Sequence, residues 1–474
     1  MNILIVSTNR SKNPVAVMPF GACIVSAACE KSEHKTRLLD LMFSKNPTNS
    51  LKKELNKMPP DVVGLSIRNI DNNNIKNPAV YFEEIKSLVN LIKKNSKAVI
   101  VLGGAAVGIM PEEFLRYTGV SIAVTGFGEI VFPELLDAIS KKSSLNIPGV
   151  AGIENNTFSN NSLPDVSTVD TCVSPDFYRW IDVKSYRKKL SSIPVQTKRG
   201  CPYRCIYCTY PKIEGSQYRL FSPESVADTV KNLVEKGFND IEFVDNVFNS
   251  PYEHAIDVCR KIESEKIDAR FQTMSLNPRF LDDNILGAME NAGFSGIGVT
   301  AESASDKVLR NLGKEYTSIE LQRASLSVQK HKIPCFWMFM LGGPGETKET
   351  VAETLDFAKN FIRTTDVAFF NIGIRIYPGT ELEKIAKDEG IIKKSGNELL
   401  NPAFYISPGL NLDRTISTVK KNMAENFNFI DSDSMGLNIL PSIYELGYRF
   451  GFKPPLWKYV PSARHIFRFA GVNI

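Results

Sequence analysis

The sequence predicts an α/β protein with two successive parallel-sheet domains and a small, mainly helical C-terminal region. Short apolar strands alternate with amphipathic helices over residues 1–150, and a second series of such units runs over 191–385. The segment between them, 151–190, is rich in polar turn formers and prolines and predicts a linker. We therefore expect a Rossmann-like domain, then a partial (βα)6 TIM-type barrel, and a C-terminal lid or substrate region over 386–474.

Small and polar residues follow the strands predicted in the first series. Strands are expected at 3–7, 36–39, 62–66, 98–102 and 122–124, with helices between them. Because ligands of open parallel sheets bind at the carboxyl ends of the strands, the candidate ligand residues are Ser66, Arg68, Asn69, Gly103, Gly104, Gly126, Gly128 and Glu129. Tight turns of a plain sheet explain a lone Gly-Gly equally well.

Three of the eight cysteines form a C-x3-C-x2-C motif, Cys201, Cys205 and Cys208, after an apolar run at 193–196. Three thiolates within eight residues can hold one metal centre, and the next cysteine is Cys259. A three-cysteine loop suggests a [4Fe-4S] cluster with one iron open to another ligand. The alternative is a zinc site completed by a distant cysteine or histidine, although zinc modules usually show paired C-x2-C knuckles.

This motif, with Tyr207 before its third cysteine, resembles the signature of radical S-adenosylmethionine (SAM) enzymes. The resemblance implies that SAM chelates the open iron and that an electron from the cluster cleaves it to methionine and a 5'-deoxyadenosyl radical. It covers the whole second series and implies SAM contacts from Tyr207, Asp245, Asn246, Asn277, Glu302, Gly343, Pro344, Gly345 and Arg375. For each of these residues alone, a helix-capping or salt-bridge role stays open.

The first series resembles the cobalamin-binding domain that precedes the radical SAM domain in one large subfamily. The resemblance rests on Pro19-Phe20-Gly21, Ser66 and Gly103-Gly104, and it implies that the eight candidate ligand residues bind cobalamin. Many such domains ligate cobalt through the histidine of a D-x-H-x-x-G loop, which is absent here. His34, the domain's one histidine, lies in a charged run. We expect cobalamin without a histidine ligand and with Arg68 at its lower face, unless Arg68 pairs with Asp71 or a polar group of cobalamin.

Composition limits the possible partners. The net charge of +5 over 474 residues, without a dense basic stripe, argues against nucleic-acid binding. The cysteine usage indicates a reducing compartment, and no apolar run is long enough to cross a membrane, so we expect a cytoplasmic protein. From Pro441 on, five basic residues and eight aromatics accompany one acid. That segment is expected to be a lid packed on the barrel mouth or a weak membrane-surface contact.

The resemblance implies a cobalamin-dependent radical SAM enzyme. Our first expectation is a C-methyltransferase in which the deoxyadenosyl radical removes hydrogen from an unactivated carbon and methylcobalamin supplies the methyl group. Oxidative cyclisation, ring contraction or desaturation with the same cofactors is an alternative, and a non-catalytic cobalamin- or cluster-binding sensor is another. The implied partners are a small-molecule or lipid-like substrate and an external one-electron reductant of the flavodoxin or ferredoxin type.

Overall fold

The first domain is a seven-stranded sheet with helices on both faces. The computed structural model of the chain describes residues 1–164, 174–393, 399–437 and 439–469. The elements of this domain are β1 (Asn2–Ser7), α1 (Phe20–Lys31), β2 (Lys35–Asp40), α2 (Pro47–Lys57), β3 (Val62–Ser66), α3 (Phe82–Asn95), β4 (Val99–Gly103), α4 (Ala105–Ile109), α5 (Pro111–Thr118), β5 (Ile122–Val124), α6 (Gly128–Lys141), β6 (Val150–Glu154) and β7 (Thr157–Asn160). The strand order is β2-β1-β3-β4-β5-β6-β7.

The sheet is parallel from β2 to β5 because a helix crosses over between each successive pair of these strands. Its strands are buried from both sides, by separate apolar clusters on its two faces. Helix α3 shows the matching pattern, since Ile85, Leu88, Val89 and Ile92 are its buried stripe. The strand order reverses between β1 and β3, and a crevice for a ligand is expected at such a point.

The predicted linker begins inside this sheet. Residues 150–160 form the β6–β7 hairpin, which pairs antiparallel with β5, and Val150 and Ala151 are buried. The polar turn at Asn155-Asn156 is therefore a hairpin turn. The remainder of the linker includes 165–173, which lie outside the described residues, and the short helices α7 (Phe177–Trp180) and α8 (Val183–Arg187). Phe177 contacts Phe20 of the first domain and Phe238 of the second, so it joins the two.

The second domain is an open barrel of parallel strands with helices outside. Its elements are β8 (Ile193–Val195), β9 (Lys198–Arg199), α9 (Tyr210–Glu214), β10 (Arg219–Leu220), α10 (Pro223–Glu235), β11 (Asp240–Phe243), α11 (Tyr252–Ser264), β12 (Arg270–Leu276), α12 (Asp283–Ala292), β13 (Phe294–Glu302), α13 (Asp306–Asn311), α14 (Ser318–Lys330), β14 (Cys335–Leu341), α15 (Lys348–Phe361), β15 (Val367–Ile372) and β16 (Ile374–Arg375). The six predicted barrel strands, β8 and β11–β15, follow one another in chain order across the sheet.

A seventh barrel strand comes from the C-terminal region. Its elements are α16 (Glu381–Asp388), β17 (Phe404–Tyr405), α17 (Leu412–Glu425), β18 (Phe429–Asp431), α18 (Ser432–Met435), α19 (Leu440–Arg449) and α20 (Val460–Phe469). The sequence predicted a helix over 422–430, but that helix ends at Glu425 and β18 pairs in parallel with β15. Phe429 and Ile430 are buried by this long-range pairing. The pairing cannot be predicted from the local pattern of apolar residues, because it depends on a strand that is distant in sequence.

The basic and aromatic segment from Pro441 packs at the amino ends of the barrel strands, not at the barrel mouth as a lid would. The Trp457 ring lies edge-on to Phe336, near the start of β14, with ring centroids 5.4 Å apart. A Cβ at Gly296, near the start of β13, would lie 2.6 Å from Pro455. The lid prediction is therefore wrong for this segment. Every helix in the described ranges is too short or too polar to span a bilayer.

Candidate active site

Cys201, Cys205 and Cys208 lie together on the loop that joins β9 to α9. All three are free thiols, with Cys201 buried and the other two half-buried. Burial raises the pKa of the Cys201 thiol to about 12 and also raises that of Cys208, while backbone N–H groups of Tyr203 and Tyr210 favour the two thiolates. Thiolates in such a place need a bound cation to stay ionised, so the three sulfurs fit an iron–sulfur cluster.

The loop depends on a glycine that precedes it. Gly200 has φ +83°, and a Cβ there would overlap the carbonyl oxygen of Gln217. Glu214, at the end of α9, accepts hydrogen bonds from the Gly200 backbone N–H (3.3 Å) and from Asn246 Nδ2 (2.7 Å). The sequence analysis did not identify Gly200 or Glu214 as site residues, although Gly200 directly precedes the first cysteine of the motif.

Residues 312–314 support the cysteine loop from the other side. The Leu312 carbonyl accepts the N–H of Ile206 at 3.1 Å. Gly313, with φ +71°, packs so closely that a Cβ would lie 2.7 Å from the Arg204 carbonyl oxygen. Nothing in the local sequence marks these residues, because their role arises from the approach of two loops that are distant in sequence.

Tyr207 and Glu302 are neighbours in the structure. The Tyr207 hydroxyl donates to Glu302 Oε1 at 2.7 Å, and Lys314 Nζ donates to the same oxygen at 2.9 Å. Glu302 adopts the left-handed conformation, with φ +55°, which is costly for a residue with a side chain. Of the two structural roles left open for Glu302, the structure shows the salt bridge, with Lys314, and it places Glu302 beside the cysteine loop.

The turn Gly343-Pro344-Gly345 packs on α13 and the residue after it. Asn311 Nδ2 donates to the Pro344 carbonyl at 2.8 Å, and a Cβ on Gly343 would lie 3.2 Å from Leu312 Cδ2. Leu312 also bonds the cysteine loop, so this turn and that loop share one support. The predicted SAM residues of the two segments are therefore brought to the same end of the barrel.

Three predicted SAM residues have structural partners instead. The Asp245 carboxylate is buried and accepts hydrogen bonds from the Thr197 backbone and hydroxyl at 2.8 and 2.7 Å, and Lys198 lies 3.5 Å away. Asn277 Oδ1 caps a short 3-10 turn through the Arg279 N–H, and its backbone is held by Asn249. Asn246 bonds Glu214. These contacts position the site's loops, and they leave Asp245 no free oxygen to offer SAM.

Arg375 does not face a ligand. Its guanidinium pairs with Asp71 of the first domain at 2.8 Å, and both side chains are about 1% exposed. It also donates to the carbonyls of Ile376 and Leu399. The structure does not support the SAM contact expected of Arg375, because its donors are used to join the domains. The same contact excludes the suggested pairing of Arg68 with Asp71.

A cleft opens at the carboxyl ends of the strands of the first domain. Six predicted cobalamin residues line it: Ser66, Gly103, Gly104, Gly126, Gly128 and Glu129. Its depth is apolar, with Ile5, Val101 and Phe132, and its rim is polar. Gly104 has φ +93°, and a Cβ would lie 2.5 Å from the Ile67 carbonyl oxygen. The glycine floor and apolar depth fit the bulky nucleotide tail of cobalamin.

The cleft also borders the elements on either side of the cysteine loop, β9 and α9. Gln196, Arg199, Ile213 and Glu214 of the second domain line it, and the sequence analysis missed all four. Arg199 forms an ion pair with Glu129, so the strand that leads into the loop is tied to the first domain. The predicted cobalamin residue Glu129 thus also has a structural partner.

Arg68 and Asn69 line a second, polar cavity beside the cleft, with Thr8, Arg10 and Lys12 among its other walls. Arg68 is exposed, and its side chain donates to Asn69 Oδ1 at 2.9 Å. Its charge lowers the pKa values of Tyr210 and Glu242 in the second domain, which otherwise rise through burial. Arg68 therefore faces the gap between the domains.

No histidine of the first domain is near the cleft. His34 directly precedes β2 and therefore lies at the amino ends of the parallel strands, whereas the cleft is at their carboxyl ends. Its Nδ1 lies 3.4 Å from the N-terminal nitrogen. In the described ranges, no group of three or more His, Cys, Asp or Glu side chains is arranged to hold a metal ion. The ligands of a single ion lie closer together than the thiolates at the corners of a four-iron cluster, so this absence counts against the zinc alternative and not against the cluster.

Comparison with known proteins assigns both domains. The model of the radical SAM superfamily matches residues 195–358, and that of the B12-binding domain matches residues 10–136. An uncharacterised methyltransferase of Pyrococcus horikoshii is 30% identical over 368 residues, which are 76% of each chain. The chain belongs to the cobalamin-dependent radical SAM enzymes. The tryptophan 2-C-methyltransferase of Streptomyces laurentii is 22% identical, over 81% of this radical SAM enzyme and 74% of the relative.

A solved structure shares the whole fold. The radical SAM methyltransferase TsrM from Kitasatospora setae, with cobalamin and a [4Fe-4S] cluster bound, has a TM-score of 0.87 at 21% identity and covers 99% of both chains. A second structure of TsrM holds tryptophan substrate and the SAM analogue aza-SAM, with a TM-score of 0.85. The predicted order of a cobalamin-binding domain, a partial barrel and a C-terminal region is confirmed.

Proposed function

We propose that this radical SAM enzyme methylates a carbon atom of a small-molecule substrate. The observation that supports this most is the position of the glycine-floored cleft, which is lined by residues of β9 and α9, the elements on either side of the cysteine loop. When bound, SAM at the cluster would supply a deoxyadenosyl radical and cobalamin a methyl group. Methyl transfer to carbon needs both reagents close to one substrate atom, and a cleft that borders the cysteine loop suits that need.

The residues of the chain have separable tasks on this reading. Cys201, Cys205 and Cys208 would hold the cluster, and Tyr207, Glu302 and the turn at 343–345 would line the SAM side of the barrel mouth. The ion pair of Glu302 with Lys314 fixes the position of the Glu302 carboxylate. The cleft residues Ser66, Gly103 and Gly104 would accept the cobalamin tail.

Arg68 would define the lower side of the corrin ring. Its guanidinium keeps its proton and has no lone pair, so it cannot ligate cobalt. Its exposure towards the gap and the absence of a histidine at the cleft support this placement. Arg68 would leave the metal without a protein ligand on that side, and the cofactor, when bound, would supply the methyl group.

A labelled-methyl assay tests the proposed function. Anaerobically reconstituted enzyme with cobalamin, methyl-labelled SAM and a low-potential reductant should transfer label to a product carbon and form deoxyadenosine. Deoxyadenosine without label in product would favour cyclisation, ring contraction or desaturation, and no SAM cleavage would favour a sensor. Cys205→Ala should abolish cluster absorption and SAM cleavage. Cys259→Ala, which removes a buried thiol on α11, is the matched control and should retain both.

We also propose that the electron comes from a flavodoxin- or ferredoxin-type protein in the cytoplasm. A cluster that cleaves SAM must sit towards the low end of the iron–sulfur range, which reaches roughly −700 mV, and plant-type ferredoxins have potentials of about −400 mV. The exposed face beside the cysteine loop would admit the carrier. Either carrier should replace a chemical reductant in the SAM-cleavage assay, and failure of both would contradict this proposal.

An apolar stripe on α19 supports a contact with an anionic membrane surface. Ile439, Ile443, Leu446 and Phe450 follow helical spacing, and all four are exposed, Phe450 by 73%. Arg449 and Lys453 flank the stripe and are exposed as well. Apolar side chains beside basic ones are typical of surfaces that bind anionic lipid, so the occupant we propose is a phosphatidylglycerol-containing bilayer.

Co-sedimentation with vesicles tests this contact. The double variant Ile443→Glu/Leu446→Glu should lose pelleting with vesicles of phosphatidylcholine and phosphatidylglycerol, because it places two acids on the apolar stripe. Ile319→Glu changes an equally exposed residue of α14, 59% exposed, and should pellet like the wild type. Equal pelleting of the double variant and the wild type would contradict the proposal.

A further inference from the structure

The interior of the barrel contains a polar pair that neither the cluster loop nor the cobalamin cleft uses. Glu242 on β11 and Gln272 on β12 stand opposite each other in the parallel register. Their chain neighbours Ile241, Phe243 and Phe271 belong to the large apolar cluster of the outer helices. Because side chains alternate along a strand, Glu242 and Gln272 point to the inside of the barrel.

This pair has acceptor oxygens without donors. Gln272 Nε2 donates to Glu242 Oε2 at 3.0 Å and lies 3.3 Å from the Ser192 hydroxyl oxygen. Gln272 Oε1 is buried and has no partner. The bond from Gln272 is also the one hydrogen bond that the Glu242 carboxylate receives from the described residues. Buried acceptors in folded proteins are almost always satisfied, so Gln272 Oε1 calls for a donor that is not part of the chain. The second oxygen of the half-buried Glu242 is free to accept from the same donor group.

The surroundings define what that donor can be attached to. Met274, Met338 and Phe369 form an apolar patch on the neighbouring strands. Trp457 packs in the same cluster from the amino ends of the strands. Burial raises the pKa of Glu242, and the hydrogen bond from Gln272 and the charge of Arg68 in the first domain oppose that rise. The site thus combines an apolar wall with a carboxyl group and an amide oxygen.

We propose that Glu242 and Gln272 recognise a protonated amine of the substrate, whose apolar body lies against the methionine and phenylalanine side chains. An ammonium group has three donors and a positive charge, and it can therefore bond both free acceptors and neutralise the carboxylate. An alcohol offers one donor and no charge, and a carboxylate group would be repelled. This inference rests on the proposed function, since it places the substrate at that site.

Binding of simple probes tests the inference. We would titrate the holoenzyme, loaded with cluster, cobalamin and SAM, with phenethylamine, 2-phenylethanol and 3-phenylpropionate by ligand-observed NMR. The wild type should bind the amine about tenfold or more tighter than the other two, as a charge-assisted hydrogen bond requires. Glu242→Gln, which keeps the shape and removes the charge, should lose this preference. Asp240→Asn on the same strand, where Asp240 pairs with Arg270, should keep it.

Two results would overturn the inference: a wild type that binds the amine no better than the alcohol, or a Glu242→Gln variant that keeps the preference. Iron, corrinoid and deoxyadenosine measured in the same preparations separate the two proposals. If all three are present but the amine preference is missing, the amine site alone is wrong. If SAM cleavage fails in the wild type, the proposed function fails whatever the probes do.

Discussion

At the scale of single residues, Gly200 shows how one backbone conformation supports a metal site. The chain turns there with φ +83° immediately before the first cysteine, against the carbonyl of Gln217. An L side chain at positive φ costs about 1–2 kcal/mol before any overlap is counted. The cysteine loop therefore begins where it does because this residue is glycine.

Gly200→Ala should lower both stability and cluster loading. The added Cβ meets backbone rather than a flexible side chain, so the loop has to shift away from its support. Iron and sulfide per chain after anaerobic reconstitution would measure the effect, together with the thermal midpoint. Gly287→Ala on α12 is the control, since no atom lies within 4 Å of its Cβ position, and it should be neutral or stabilising by about 1 kcal/mol. Full loading of Gly200→Ala would contradict this account.

At the scale of elements, the turn after β14 is held from within by Glu346. Its carboxylate is fully buried and accepts the N–H groups of Gly342 and Gly343, the latter at 2.9 Å. Its second oxygen, Oε1, has no partner. Burial raises the pKa of Glu346 to about 7, although the two N–H groups oppose the rise. The glycine-proline turn at the SAM side of the barrel therefore rests on a carboxyl group that titrates near neutrality.

This shift predicts a pH dependence with a definite sign. The folded chain keeps the Glu346 proton that the unfolded chain loses above its usual pKa of 4.5. Glu346 therefore contributes up to about 3 kcal/mol to the free energy of unfolding below pH 4.5, and this contribution is lost as the pH rises to about 7. Glu346→Gln should flatten that decline when urea midpoints are compared at pH 5 and pH 7.5. An unchanged slope in the variant would refute the assignment.

At the scale of the whole molecule, the two domains are joined through buried charge. The Asp71–Arg375 pair crosses the interface, and Tyr186 donates to Asp40 at 2.6 Å to bind the segment before the barrel to the first domain. Interfaces of this kind fix the distance between the cobalamin cleft and the cysteine loop. Their integrity is a condition for any chemistry that needs both.

Asp71→Ala should destabilise the chain by about 3–5 kcal/mol, because it leaves a guanidinium buried without its counter-charge. Urea unfolding followed by tryptophan fluorescence would show the lower midpoint, and corrinoid retention should fall with it. Asp137→Ala removes an exposed pair with Lys141 on α6 and should change stability by less than about 0.5 kcal/mol. Similar midpoints for the two variants would show that the interface pair is dispensable.

Local patterns in the sequence were enough to predict most of the strands and helices and to identify the cysteine loop. Strands such as Val62–Ser66 and helices such as α3 follow from local periodicity, and each cluster cysteine stands in one short motif. Six of the eight predicted cobalamin residues line the cleft, because glycines and polar residues follow parallel strands. These strands, helices and motifs can be predicted from the sequence because each depends on residues that lie close together in the chain.

Only the tertiary structure decided which side chains meet across long separations. In the tertiary structure Arg375 pairs with Asp71, Asp245 accepts a hydrogen bond from Thr197, and β18 joins the barrel sheet. Residues 312–314 support both the cysteine loop and the turn at 343–345. A lone arginine or aspartate has the same sequence signature whether it binds a ligand or another residue. The choice is made by which groups folding buries together, since a buried charge must find its counter-charge wherever the fold places one.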